Sequence, residues 1–161
     1  MEKLINNLVK YFLKNHPNPD DLAVSRLTKL LYLSDWKNAI ENNEQITDSN
    51  WVFDRYGPYI SEVLDMAKKD KEFKIIETLN SFGTKKQVIQ LVDVENSEVC
   101  LNEEVEKIAS FVIKATKDKT YNQFIKLVYS TYPIISSEQY SNLDLVESAA
   151  NYRTLLESQS A

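Results

Sequence analysis

The segment from Asp21 to Asn42 constrains the fold most, because it combines a helical sequence with apolar residues on two opposite faces. No glycine or proline interrupts it, and most of its residues favour a helix. The pattern predicts a central helix that is buried on both sides, with three basic side chains extending past the packed layer on their aliphatic stems. One face holds Ala23, Val24, Leu27, Leu30 and Leu31, the other holds Leu22, Leu33, Trp36 and Ile40, and the basic residues are Arg26, Lys29 and Lys37.

Residues 51–59 form an aromatic-rich stretch that is separated from this helix by a polar connection. Proline disfavours the helical conformation in the residue before it, so we expect Gly57 to be extended or in a turn. Pro58 suits the first position of a helix, where no amide donor is needed, and the predicted helix runs from Pro58 to about Asp70. Its inward face consists of Ile60, Val63, Leu64 and Ala67.

Four short motifs in this region are specific when their order and spacing are taken together: Lys29-Leu30-Leu31-Tyr32, Asp35, Ile46-Thr47 and Tyr56-Gly57-Pro58. From about Leu22 to Val63 the chain resembles the Panacea domain family, the SocA-like antitoxins. The family usually has a glycine near position 43 and often a proline near position 45, where this chain has Asn43 and Gln45. Asparagine can also end a helix in the left-handed conformation, so we expect the turn to be preserved.

The resemblance implies the antitoxin half of a toxin–antitoxin pair, with phage defence as its wider setting. Such a protein neutralises the toxin encoded next to it by direct protein binding, and it needs no cofactor. The resemblance does not identify the toxin, and the sequence leaves homo-oligomerisation open.

The rest of the chain is mainly helical and contains one predicted hairpin. A first amphipathic helix is expected from Met1 to His16, with Asp20 or Asp21 capping the helix that follows. β-branched and aliphatic residues predict an antiparallel hairpin from two strands, Phe73 to Leu79 and Gln87 to Val92. Lys85 and Lys86 are expected in its loop, Val94 and Val99 in a short third strand, and further helices from Asn102, after Thr120, and from Ser141 to Glu157.

Length and composition favour one domain spanning residues 1–161, of a mainly α (α+β) class with a small hairpin. Cys100 is the only cysteine, so an internal disulfide is excluded and a reducing, cytoplasmic location is expected. No apolar run approaches the roughly 20 residues of a membrane span, so no membrane contact is expected. The net charge of -5 argues against broad affinity for nucleic acid.

The residues that could carry catalysis are sparse, and we expect the protein not to be an enzyme. Two glycines cannot build a phosphate-binding glycine loop, and no Cys and His cluster has zinc spacing. Glu103, Glu104 and Glu106 are expected to match a helix dipole rather than to bind a metal. His16 is the only histidine, and a surface or capping role at a helix end is favoured over chemistry.

The candidate protein-binding residues lie in the central helix and the aromatic stretch. Asp35 and Asp54 are expected to accept hydrogen bonds from backbone amides near the turn, since a carboxylate among aromatic side chains must be satisfied. The pattern favours core positions for both tryptophans and leaves Tyr56 and Tyr59 open between core and binding surface. The full set is Tyr32, Asp35, Trp36, Trp51, Asp54, Tyr56, Gly57, Pro58 and Tyr59.

A second function is compatible with the order of the predicted elements. Helices followed by a hairpin that presents Lys85 and Lys86 would suit a winged-helix DNA-binding regulator of phage or mobile-element origin, with the lysines contacting phosphate. The acidic net charge and the two-sided apolar helix weigh against this alternative.

Overall fold

The computed structural model describes residues 2–160, and Met1 and Ala161 lie outside the described residues. Within residues 2–160 the chain forms seven α-helices and two antiparallel hairpins. It is therefore mixed α+β, with one hairpin more than the sequence predicted. The elements in chain order are α1 (Glu2–Asn15), a 3-10 turn (Pro19–Asp21), α2 (Val24–Asn42), β1 (Val52–Asp54), β2 (Gly57–Tyr59), α3 (Glu62–Lys69), β3 (Phe73–Leu79), β4 (Lys85–Leu91), α4 (Glu103–Thr116), α5 (Tyr121–Tyr129), α6 (Tyr132–Ile135) and α7 (Leu145–Ser160).

The start of α2 differs from the predicted one. Asp20 and Asp21 belong to the 3-10 turn that Pro19 begins, so neither carboxylate caps α2, and that prediction is wrong. The N-cap is Ala23, which has no side chain able to bond to the first turn. At the other end, Asn43 is left-handed at φ 61° and its amide bonds to the Ala39 carbonyl, which confirms the predicted helix end.

The side chains of α2 are buried along most of its length, from Leu27 to Ala39. They join one hydrophobic cluster that includes residues from Ile5 on α1 to Ala149 on α7. Lys29 was expected to extend past the packed layer, but its side chain is buried. Arg26 and Lys37 are half-buried instead, each lying over an aromatic ring.

The segment after the aromatic turn is extended rather than helical, so the predicted helix start at Pro58 is wrong. Gly57 adopts a φ of +108°, and Pro58 pairs with Phe53 across an antiparallel hairpin. This pairing keeps β2 extended, and α3 begins only at Glu62. Proline is accepted here because β2 is an edge strand and needs no ladder donor from that residue.

The second hairpin confirms the predicted one, with its later strand beginning at Lys85. Asn80 Oδ1 accepts bonds from the amides of Phe82 and Thr84, and Gly83 takes a φ of +77° to complete the loop. Lys85 pairs with Leu79, so the lysines belong to β4 and not to the loop as predicted. Residues 92–101, all within the described chain, form a turn and irregular structure in place of the expected third strand.

Local capping chemistry sets the later helices. The Asn102 side chain accepts from the Val105 amide at 2.9 Å, and Thr120 forms a capping box with Gln123, as the predicted helix starts require. A short helix, α6, begins at Tyr132 and was not predicted. The last helix begins at Leu145, four residues later than expected.

His16 lies in the turn after α1 and is buried, which contradicts a surface role. Its Nδ1 accepts a hydrogen bond from the Asn18 amide at 3.0 Å. Burial, followed by the nearby Arg26 guanidinium, lowers the pKa of His16.

Candidate protein-binding site

Asp35 is the polar centre of the site, fully buried on α2 beneath the loop that follows the helix. Its Oδ1 accepts hydrogen bonds from the backbone amides of Ile46 at 2.8 Å and Thr47 at 2.9 Å. Its Oδ2 accepts from the Thr47 hydroxyl at 2.5 Å and from Trp51 Nε1 at 2.8 Å. Burial raises the pKa of Asp35, and these four hydrogen bonds oppose the rise. The expectation that Asp35 accepts bonds from nearby backbone amides is confirmed.

Aromatic side chains enclose this carboxylate. Tyr32 and Trp51 meet edge to face, with 5.4 Å between their ring centroids, and both are fully buried. The Tyr32 hydroxyl shares a 2.8 Å hydrogen bond with the Thr131 hydroxyl, and burial raises the pKa of this tyrosine. Trp36 is buried against Tyr152 of α7 at 5.8 Å. Core positions are therefore confirmed for both tryptophans.

Backbone pairing holds the aromatic turn on both edges of β1. On one edge β1 pairs with β2, leaving Arg55 and Tyr56 as the two-residue turn between them. On the other edge the Phe53 amide donates to the Ser141 carbonyl at 2.9 Å, and the Leu143 amide donates to the Trp51 carbonyl at 2.8 Å. The segment before α7 therefore fixes the position of the turn.

Three residues of this hairpin, Asp54, Tyr56 and Tyr59, are at least partly exposed and line one pocket, and we call them the Tyr56 surface. The exposed fraction is 70% for Tyr56 and 42% for Tyr59, and Asp54 is partly exposed. The Arg55 guanidinium lies 5.2 Å from the centre of the Tyr56 ring. This is a small aromatic surface with mixed charge, carried on a rigid support.

The nine predicted site residues therefore fall into two groups. Three form the Tyr56 surface, and six are buried. Among the buried members, the Asp35 hydrogen bonds, the edge-to-face contact of Tyr32 with Trp51 and the hairpin pairing support the turn. The six buried residues are Tyr32, Asp35, Trp36, Trp51, Gly57 and Pro58.

A pocket of about 360 Å³ opens beside the Tyr56 surface, and we call it the Lys29 pocket. All three residues of the Tyr56 surface line it, together with Lys29 of α2 and Lys85 and Lys86 of β4. Burial lowers the pKa of Lys29. Its amine has no hydrogen-bond acceptor or carboxylate partner among residues 2–160. The structure thus places the hairpin lysines next to the aromatic turn, which the sequence did not indicate.

Three supporting residues were not identified from the sequence. The Gln45 side chain donates to the carbonyls of Thr47 and Ser49, each at 3.0 Å, and so shapes the loop over Asp35. Arg153 donates to the Ala39 carbonyl at 3.1 Å and the Ile40 carbonyl at 2.8 Å, and it also bonds the Asn43 side chain. The Thr131 hydroxyl shares a hydrogen bond with the Tyr32 hydroxyl. Only Gln45 lies in the motif region, and a single sequence carries no signal for contacts that span a hundred residues.

Residues 2–160 contain neither a metal-binding cluster of side chains nor a helix that could cross a membrane. No group of three or more His, Cys, Asp or Glu side chains there is arranged to hold a metal ion. None of the helices in that range combines the length and the apolar character that a bilayer span requires.

The chain matches the family model described as "Antitoxin SocA-like, Panacea domain" over residues 27–133. This match covers more than half of the chain, so the protein belongs to the SocA-like Panacea domain family, and the resemblance seen in the motifs is confirmed. The matched region contains Asp35, Thr47 and the Tyr56 surface, whereas Arg153 and the segment before α7 lie beyond it. Neither the curated proteins nor the solved structures contain a significant match to this chain.

Proposed function

We propose that this protein is an antitoxin that neutralises a neighbouring toxin by binding it directly through the Tyr56 surface. Family membership supports the antitoxin role. The observation that carries the choice of surface is the exposure of Tyr56 and Tyr59 on a hairpin whose base is tied to Asp35 and Trp51. The proposed action is binding in the cytoplasm, with no catalytic step and no cofactor.

The rigidity of the support favours binding at this place. Association carries a cost for ordering side chains and loops, and a turn that is already fixed avoids much of that cost. Tyrosine adds a large amphipathic contact area with few rotatable bonds, which is why it is frequent among binding hot spots. Two exposed tyrosines on one paired hairpin are therefore well placed to contact a protein partner.

The test is co-expression with the adjacent open reading frame, scored by growth and by co-purification of the two proteins. We expect growth to be rescued and a complex to be isolated. Replacing both Tyr56 and Tyr59 with alanine should weaken the complex by about 2 kcal/mol or more and leave the melting temperature nearly unchanged. Phe82→Ala, at an exposed aromatic on the other hairpin, is the matched control and should bind like the wild type.

Two results would contradict the proposal. Rescue of growth without an isolable complex would indicate an enzymatic or transcriptional mechanism. Unchanged toxin affinity in a folded double variant would show that the Tyr56 surface is not the contact.

A further inference from the structure

The Lys29 pocket differs from the rest of this acidic chain in its charge. Among the residues that line it, Lys29, Lys85 and Lys86 are basic and only Asp54 is acidic, while the chain as a whole carries a net charge of -5. A concave surface with an excess of one sign concentrates ions of the opposite sign. The pocket is therefore suited to an anion.

The Lys29 side chain, which is buried beside this pocket, points to the same class of ligand. The side chain is only 5% exposed, yet its amine contacts no carboxylate or hydrogen-bond acceptor among residues 2–160. Lys10, another buried lysine, does have protein partners: its amine bonds to the Glu72 carboxylate at 2.6 Å and to the Glu98 carbonyl at 3.1 Å. A charge on a largely buried side chain is costly when no protein group pairs with it, so an acceptor that enters the pocket would stabilise Lys29.

The first turn of α2 adds a third source of positive potential. Val24 and Ser25 line the pocket at the start of this 19-residue helix. The N-cap Ala23 provides no side-chain acceptor, and the first turn contains no acidic residue. The N-cap and first turn thus leave the positive end of the helix dipole without a side-chain acceptor of their own, and a helix N-terminus of this kind favours anions.

We propose that the Lys29 pocket is an oxyanion-binding site that receives an acidic side chain of the bound toxin. The choice of a protein carboxylate follows from the rim, because Tyr56 and Tyr59 border the same pocket and are the exposed aromatic residues of the proposed contact surface. This part of the inference rests on the proposed function. A toxin segment with an acidic residue beside an apolar one would place the carboxylate on Lys29 and the apolar group against the tyrosines.

The anion site is tested on the free protein, independently of any toxin. Uniformly ¹⁵N-labelled protein is titrated with inorganic phosphate and, separately, with acetate, at an ionic strength held constant with chloride. We expect saturable shifts of the Val24, Ser25 and Gly57 amides with at least one of the two anions. In Lys29→Met these shifts should be lost, and in Lys117→Met, which removes an exposed lysine that does not line the pocket, they should persist.

Lys29→Met removes a charged hydrogen bond to the anion, so we expect anion binding to weaken about tenfold or more. Equal shifts in the wild type and a folded Lys29→Met variant would overturn the site, as would shifts spread evenly over all surface lysines. If Lys29→Met does not fold, the double replacement of Lys85 and Lys86 by methionine takes its place, and unchanged anion binding in that variant would also overturn the site.

The source of the anion is tested with the toxin complex. Lys29→Met should weaken toxin binding about tenfold or more, and Lys117→Met should leave it unchanged. If the free protein binds phosphate through Lys29 but Lys29→Met does not change toxin affinity, the ligand is not an acidic side chain of the toxin. The pocket then binds a free anionic solute. If the wild type captures no toxin, the proposed function fails, while the titration still decides whether the pocket binds anions.

Discussion

Replacing Asp35 with asparagine is a direct test of the network that supports the site, because the two side chains have nearly the same shape. Asp35 accepts four hydrogen bonds, two at each oxygen. Asparagine offers one oxygen and one NH₂ group. If its oxygen faces the amides of Ile46 and Thr47, its NH₂ group faces the indole N–H of Trp51. The Thr47 hydroxyl can rotate to accept a bond, but the indole has no acceptor function.

The magnitude follows from the groups left without partners. A buried donor that loses its acceptor costs about 1–3 kcal/mol, and the two retained amide bonds lose their charge assistance. Removing the desolvated charge returns part of this cost, so we expect Asp35→Asn to lower the free energy of unfolding by about 2–4 kcal/mol. For a chain of this length, a loss of that size corresponds to a melting temperature about 5–15 °C lower.

The assay is urea and thermal unfolding followed by tryptophan fluorescence, since Trp51 is itself part of the network. Asp118→Asn, which changes an exposed carboxylate in the same way, is the control and should stay within about 0.5 kcal/mol of the wild type. A stability loss in Asp35→Asn no larger than that of the control would refute the reasoning, because it would mean that the four bonds contribute no net stability.

Three further predictions concern single features of the structure. Gly57→Ala should cost about 1–3 kcal/mol because Gly57 has a φ of +108°, and an unchanged melting temperature would contradict that conformation. His16 has a folded pKa below its unfolded value, so the unfolded state binds more protons and stability should fall as the pH drops below about 6.5. The contribution of His16 to the slope of unfolding free energy against pH, at most about 1.4 kcal/mol per pH unit, should be absent in His16→Asn. If the unfolding free energies of the two proteins run parallel between about pH 7 and 5, His16 does not cause the pH dependence. DNA affinity, if the regulator alternative holds, should depend on Lys85 and Lys86 and fall roughly tenfold between about 50 and 200 mM salt, as expected for about two phosphate contacts; a sequence-specific complex that persists at physiological salt would favour the regulator.

The parts of the fold that the sequence predicted depend on contacts between near neighbours. Asn43, Asn102 and Thr120 end or start helices through bonds within about four residues, and the helix starts at Asn102 and Thr120 were predicted from residue type and position. The hairpin of β3 and β4 was predicted in the same way, from two β-branched strands that flank one loop. Local chemistry was sufficient for these elements because no distant residue competes with it.

The wrong predictions concern residues whose conformation depends on contacts with distant parts of the chain. Pro58 suits a helix start, but pairing with Phe53 keeps it extended. Lys29 looked like a residue that reaches solvent, but its side chain is buried, and a Cβ placed on Gly57 of β2 would lie 3.6 Å from its Cε atom. In each case a tertiary contact overrides the local preference, and no spacing rule identifies such a contact.

The support of the site is buried and the rim of the Lys29 pocket is exposed, so the two tolerate substitution differently. Thr47 and Trp51 both donate hydrogen bonds to Asp35, so altering any one of the three removes a buried hydrogen bond. Tyr56 and Lys85 are exposed and contribute little to the core, so replacing them changes the shape and charge that a partner meets at a small cost in stability. Specificity can therefore change at the rim of the Lys29 pocket while the network below keeps the hairpin in one position.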